Sequence, residues 1–219
     1  RCTAPSADAP HLCKPDDVAD CEAQCAAGDP GSCSRMGYFH QTGKNGVATD
    51  PARAAALYRQ ACDAGWAVGC SSLGALLVMG EGVPRDPPAG AALVEQACDM
   101  GQAEMCSFLG GAMYTGNLVA QDPAQAALLL QRGCYGGAPS GCFLLGEIHR
   151  KGLAGRAKDG AMARDLYGKG CDGGDPVSCY ALGVAWEDGI GGAADPARGR
   201  GLFEKACGLG MKPACKELK

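Results

Sequence analysis

The sequence predicts an all-α fold, a solenoid of about five helix-turn-helix repeats stapled by disulfides, and three observations carry that expectation. The first is a period. Six cysteine pairs share one separation of eight, Cys25 with Cys33, Cys62 with Cys70, Cys98 with Cys106, Cys134 with Cys142, Cys171 with Cys179 and Cys207 with Cys215, and their starts fall 37, 36, 36, 37 and 36 residues apart. The second is a recurrent helix start. Asp50, Asp86, Asp122, Asp159 and Asp195 stand twelve residues before a cysteine and are followed by Pro51, Pro87, Pro123, Gly160 and Pro196; aspartate at an N-cap with proline at the first helical position opens a helix. The third is apolar spacing of helical period with no window that alternates as a strand does.

The helix opened by each aspartate, here called B, carries an apolar face at Leu57, Leu93, Leu129, Leu166 and Leu202 and at the following Tyr58, Val94, Leu130, Tyr167 and Phe203. Each B helix runs into Gly65, Gly101, Gly136, Gly173 or Gly210, and glycine suits the left-handed residue that ends a helix. From the second cysteine of each pair a helix A follows, with Met36, Leu73, Leu109, Leu145 and Leu182 three residues on, each next to a glycine that lets a neighbouring helix come close. Gly43, Gly80, Gly116, Gly152 and Gly189 close helix A. A lone hairpin cannot cover its own apolar faces, so neighbours must stack. Residues 1–15 read as an N-terminal extension and residues 16–219 as the repeat array, made of a half repeat, five hairpins and a terminal half helix.

The paired cysteines lie at the end of B and the start of the next A, across a tight glycine-containing turn. Antiparallel helices meeting there can bring two α-carbons within the roughly 4.4 to 6.8 Å a disulfide needs, and closing a loop of about nine residues contributes about 2.5 kcal/mol through the unfolded chain. Zinc sites gather four ligands at shorter cysteine spacing, so disulfides are preferred to metal, and no metal site or cofactor is expected. Cys21 and Cys25, four apart on a helix, are the alternative soft-metal pair. Three cysteines remain, Cys2, Cys13 and Cys21, which read as one capping disulfide plus one spare. Cys2 also raises lipid attachment, against which Arg1 speaks, since a small residue precedes such sites.

Fifteen cysteines in 219 residues place the chain in an oxidising compartment. Formal net charge is -4 with lysine and arginine scattered, so nucleic acid is not an expected partner. No stretch approaches the roughly 18 to 20 apolar residues of a spanning helix, and no signal sequence is evident, so the chain reads as a mature, soluble segment.

The pattern Cys70-Ser71-Ser72-Leu73-Gly74, the loop Gly80-Glu81-Gly82-Val83 and the Asp-Pro start of helix B resemble Sel-1-like repeats, short relatives of tetratricopeptide repeats. With a cysteine pair in every unit, the chain is similar to the cysteine-rich secreted members known from Helicobacter. The resemblance covers about residues 16–219. It implies right-handed superhelical α/α stacking, a groove lined by A helices, and protein recognition in the periplasm or outside a bacterium. The loops Gly116-Asn117-Leu118-Val119 and Gly152-Leu153-Ala154-Gly155 depart from the pattern, so those turns are expected to differ locally.

Some cysteine-rich relatives have been credited with penicillin binding or weak β-lactamase activity, which makes β-lactam recognition the alternative function. The Ser-x-x-Lys and Lys-Thr-Gly motifs of that chemistry are missing, as are Gly-x-Ser-x-Gly and His-Glu-x-x-His, so no catalytic residues are expected. Of the histidines His11, His40 and His149, the last two fall at a helix-A position held elsewhere by Leu77, Met113 and Trp186 and read as packed polar core residues.

A protein or peptide partner is expected on the helix-A stripe turned away from the packed positions. It comprises Ser34, Tyr38 and Gln41; Ser71, Ala75 and Val78; Ser107, Gly111 and Tyr114; Phe143, Glu147 and Arg150; and Tyr180, Val184 and Glu187. These positions vary most between repeats. Aromatic and arginine side chains anchor interfaces, which singles out Tyr38, Tyr114, Phe143, Arg150 and Tyr180, with Glu147 and Glu187 beside them. The bland alternative is an ordinary solvated helix face.

Overall fold

The computed structural model describes residues 12–219; Cys2 and His11 lie outside the described residues. Every regular element among those described is helical, in two compact units, the first ending at Met100 and the second running Gly101–Lys219. The first holds α1 (Val18–Ala26), α2 (Pro30–Thr42), a short 3-10 turn (Lys44–Gly46), α3 (Pro51–Asp63), α4 (Ala67–Met79) and α5 (Pro87–Asp99). The second holds α6 (Ala103–Thr115), α7 (Pro123–Tyr135), α8 (Pro139–Lys151), α9 (Gly160–Asp172), α10 (Pro176–Glu187), α11 (Pro196–Gly208) and α12 (Lys212–Lys216). Within each unit every helix packs on its successor, and A helices also touch across the intervening B: α2 on α4, and α8 on both α6 and α10.

The B helices start where the Asp-Pro pattern places them. Asp50, Asp86, Asp122, Asp159 and Asp195 each accept a hydrogen bond from the amide three residues on, satisfying a donor that the helix leaves open. The same aspartates donate their own amides back to helix A, to the carbonyls of His40, Leu77, Met113, His149 and Trp186, at 2.7 to 3.1 Å. One residue thus starts B and ties it to the preceding A. The A helices begin three residues before the second cysteine, earlier than the sequence suggests. In α2 and α10 the reason is a second cap, since Asp29 and Asp175 accept from the amides of Ser32 and Ser178.

Six bridges join cysteines eight apart at Cα separations of 4.4 to 4.9 Å. Five of them are the expected pairs that begin at Cys25, Cys62, Cys134, Cys171 and Cys207. The sixth is Cys13–Cys21, the capping bridge. Cys98 and Cys106 are disulfide-bonded as well. The soft-metal reading of Cys21 and Cys25 is therefore overturned, because both sulfurs are consumed in separate bridges. Helix α1 begins at Val18, capped by Asp17, and Cys13 is buried with Cys21, Cys25 and Cys33 in the first core cluster.

Two glycine assignments need correction. Gly136 and Gly173 have right-handed backbone, φ of -81° and -74°, and the left-handed residue is the next one, Gly137 at φ 99° and Gly174 at φ 86°. The chain reverses three residues after the first cysteine of a pair in every repeat, and glycine there avoids the Cβ clash. The expected close helix approach is present: a Cβ on Gly146 would sit 2.5 Å from the Tyr167 ring, and one on Gly183 would sit 2.6 Å from Phe203.

The departing loops do not differ at their turning residue. Leu118 at φ 73° and Ala154 at φ 55° take the left-handed conformation that Gly82 and Gly191 hold at the same repeat position, as does Asn45 at φ 54°. Turn geometry is imposed by the anchored helices on either side, and the side chain follows.

Candidate partner-binding face

In the first unit the stripe on α2 is uneven. Ser34 is buried, Gln41 is half-buried and Tyr38 is exposed. Lys44 donates to the Tyr38 hydroxyl and lies 4.9 Å from its ring centroid. Tyr38, Tyr58, Trp66, Val68 and Leu12 help line a cavity of about 300 Å3. Tyr58, counted on the packed face of helix B, in fact reaches the stripe, where its hydroxyl donates to Gln41 Oε1 at 2.9 Å; burial pushes its pKa up to about 12. Ser71, Ala75 and Val78 of α4 are half-buried.

In the second unit the stripe gathers around α8. Glu147 accepts two hydrogen bonds from the Arg150 guanidinium, at 2.8 and 2.9 Å, pairs with Lys151 at 2.8 Å and accepts from the Tyr167 hydroxyl. Its side chain is only 15% exposed. The Arg150 hydrogen bonds, together with those from Lys151 and Tyr167, hold the Glu147 carboxyl down at about 2 against burial. Arg150 is held above its usual value by the same pair, and burial followed by the Glu147 hydrogen bond raises Tyr167. Such a bidentate pair fixes the arginine plane.

The aromatic members Tyr114, Phe143 and Tyr180 are half-buried. Phe143 packs on Tyr167 with ring centroids 6.1 Å apart, and Tyr114 lies against the cluster of Leu145 and Ile148. Tyr180 stacks on Phe203 at 5.4 Å and donates to Glu217 at 3.2 Å; burial, then Glu217, raises its pKa. Glu187 is exposed at the end of α10. Ser107 departs from the expectation of an accessible stripe. It is 4% exposed, its hydroxyl has no hydrogen-bond partner, and a Cβ on Gly133 or Gly141 would approach that oxygen to 2.1 or 2.3 Å. It is wedged between helices and presents nothing to a ligand.

Both described histidines are half-buried. A ring nitrogen of His40 lies 3.3 Å from the Ala48 carbonyl, and burial, followed by Arg156, lowers the His149 pKa. Among the described residues no group of three or more histidine, cysteine or acidic side chains could hold a metal ion, and no helix is long and apolar enough to cross a membrane.

Sequence reading passed over Tyr58, Tyr167 and Lys151. The first two were legible in one respect, because a buried tyrosine hydroxyl needs a partner, and the A helices offer polar ones, Gln41 and Ser72 to Tyr58 and Glu147 to Tyr167. Lys151 follows from i, i+4 spacing to Glu147.

Stacked antiparallel hairpins within each unit define a tetratricopeptide-like repeat fold. The chain belongs to the Sel1 repeat family: the Sel1 repeat model matches residues 30–66, 67–102, 103–137, 139–175 and 176–211. Sel1 repeats mediate protein–protein interactions. Three solved structures are similar. A protective antigen of uropathogenic Escherichia coli with an SLR fold has TM-score 0.83 and 24% identity over 92% of this chain and 43% of its own, so this chain spans less than half of that protein. A Sel1 repeat protein from Oxalobacter formigenes has TM-score 0.77 and 26% identity over 92% of this chain and 88% of its own. Helicobacter pylori cysteine rich protein B has TM-score 0.51 and 25% identity over 61% of this chain and 96% of its own. No curated protein sequence matches the chain.

Proposed function

We propose that this chain is a binding scaffold of the bacterial periplasm or exterior that holds a peptide or protein partner against its A-helix stripe. The observation that carries the reading is the α8 cluster. Glu147, itself shielded, holds Arg150 on the same face of α8 as half-buried Phe143, and half-buried Tyr114 of α6 packs on the α8 core; pre-ordered arginine and aromatic groups are what anchor an interface. Tyr38 and Tyr180 with Glu187 supply the corresponding contacts on α2 and α10. The seven-fold use of paired cysteine separations supports the compartment, since such bridges persist where thiols oxidise.

Site-specific photo-crosslinking in the native host tests this. A benzophenone residue at Arg150 or Glu187 is expected to trap one discrete protein partner, and the same residue at exposed Ala124 of α7 is expected to trap none. Equal trapping at Ala124, or none at either stripe position, contradicts the assignment.

A further inference from the structure

A second surface, away from the A-helix stripe, has a chemistry of its own. Helices α9, α10 and α11 surround a cavity of about 590 Å3, within the range of ligand sites. Trp186 is among the lining residues, with Arg164 Cζ 4.1 Å and Arg198 Cζ 4.3 Å from its ring centroid. Arg164 is further pinned by the Gly191 carbonyl at 2.8 Å and the Ala193 carbonyl at 3.5 Å. Stacking on an indole presents the edge of each guanidinium in a fixed plane. The nearby acids are already engaged by lysines, Asp165 by Lys169 and Asp172 by Lys205, each at 3.8 Å. Among the described residues neither Arg164 nor Arg198 has a carboxylate partner.

The repeat supplies an internal control. Three residues before the first cysteine of a pair, the other units carry long polar side chains, Glu22, Arg59, Glu95, Gln131 and Glu204, whereas this unit carries Gly168. In the first unit the corresponding cavity, of about 260 Å3, is lined by Glu22, Arg53 and His40, which occupy the repeat positions of Gly168, Arg198 and Trp186. The arginine there shares its cavity with a resident glutamate. In the second unit the arginine is retained, another is added, and Gly168 stands in place of the glutamate, while Asp165 and Asp172, which also line the cavity, pair with Lys169 and Lys205. Packing does not ask for the glycine, because a Cβ at Gly168 would meet nothing within 4 Å, and glycine inside a helix is otherwise unfavourable.

From this juxtaposition we infer that the cavity takes the carboxylate of a glutamate from an acidic peptide segment, which fills the place that a built-in glutamate holds in other repeats. The carboxylate meets the guanidinium edges, and the peptide's apolar neighbours lie on Leu182 and Leu202. On α10 the cavity is lined by Leu182 and Trp186, and none of the stripe residues Tyr180, Val184 and Glu187 lines it.

Trp186 is the reporter. With Trp66→Phe as background, it is the remaining tryptophan, and its fluorescence is titrated with a blocked Gly-Glu-Leu-Glu-Gly peptide, the same peptide with glutamine for glutamate, and glutarate. The glutamate peptide is expected to give a saturable, salt-sensitive change, with the glutamine peptide weaker by about tenfold or more, the worth of a charge-assisted hydrogen bond. Gly168→Glu, which restores the resident acid, is expected to weaken the glutamate peptide by about tenfold without lowering the unfolding midpoint, while Gly168→Ala leaves binding intact. Equal binding of the two peptides, or indifference to Gly168→Glu, overturns the site. Glutarate binding as tightly as the peptide overturns the peptide as the source of the carboxylate.

Discussion

Glu147 is the residue on which the local electrostatics of the second unit turn. Its carboxyl is held at about 2 by Arg150 first, with Lys151 and Tyr167 adding to it, against an ordinary value of 4.5. The unfolded chain therefore binds this proton more readily than the folded one between those values. The stabilisation is complete above about pH 4.5 and is lost as pH falls towards 2. Glu147→Gln is expected to destabilise by about 2 kcal/mol at pH 6, with the gap closing near pH 2, measured as denaturant midpoints across that range. The same residue shows where sequence reading stops. Glu147 and Arg150 were picked out as surface contacts from their spacing, but that the acid is shielded and serves to hold the arginine depends on Tyr167 arriving from α9. No one-dimensional period reports that contact.

At the scale of the element, each hairpin is set by its ends. The aspartate caps, the A-to-B backbone bond at the cap, and the bridge eight residues long fix where the helices start and how they turn. These features were legible because they recur in register. What was misread lay where two glycines stand side by side at the turn. Gly136 and Gly173 were adjacent to a second glycine, and counting from the cysteine, rather than taking the first glycine met, selects Gly137 and Gly174. Cys13 and Cys21 carry the same separation of eight as the expected pairs, and that spacing identifies their bridge. The turns after helix A follow the same logic. Leu118 is held left-handed while its side chain is 51% exposed, so its apolar contacts cannot offset the backbone cost of about 1 kcal/mol. Leu118→Gly is expected to raise stability by about 1 kcal/mol, read from urea unfolding; a loss of stability would mean that the side chain contributes packing that outweighs the backbone.

For the whole molecule, short covalent links take over part of what a large core does elsewhere. Buried side chains lie in several small clusters rich in alanine and cysteine, and each bridge that closes a loop of about nine residues contributes about 2.5 kcal/mol by restricting the unfolded chain. A framework fixed in this way leaves the stripe and the Trp186 groove free to vary between repeats. The fold class was legible from the cysteine period, the Asp-Pro helix starts and the helical apolar spacing, whereas the groove over Trp186 was not, because it is formed by the absence of a side chain at Gly168 as much as by the arginines. Only a comparison of equivalent positions in space shows what that glycine omits.

The oxidation state of the cysteines tests this account most directly. Of the fifteen, fourteen are disulfide-bonded, so protein unfolded without reductant should titrate no more than one thiol, and non-reducing peptide mapping should recover bridges between cysteines eight residues apart. Several free thiols, or bridges at other separations, would contradict the stapled-hairpin framework and with it the compartment and the presentation of both surfaces.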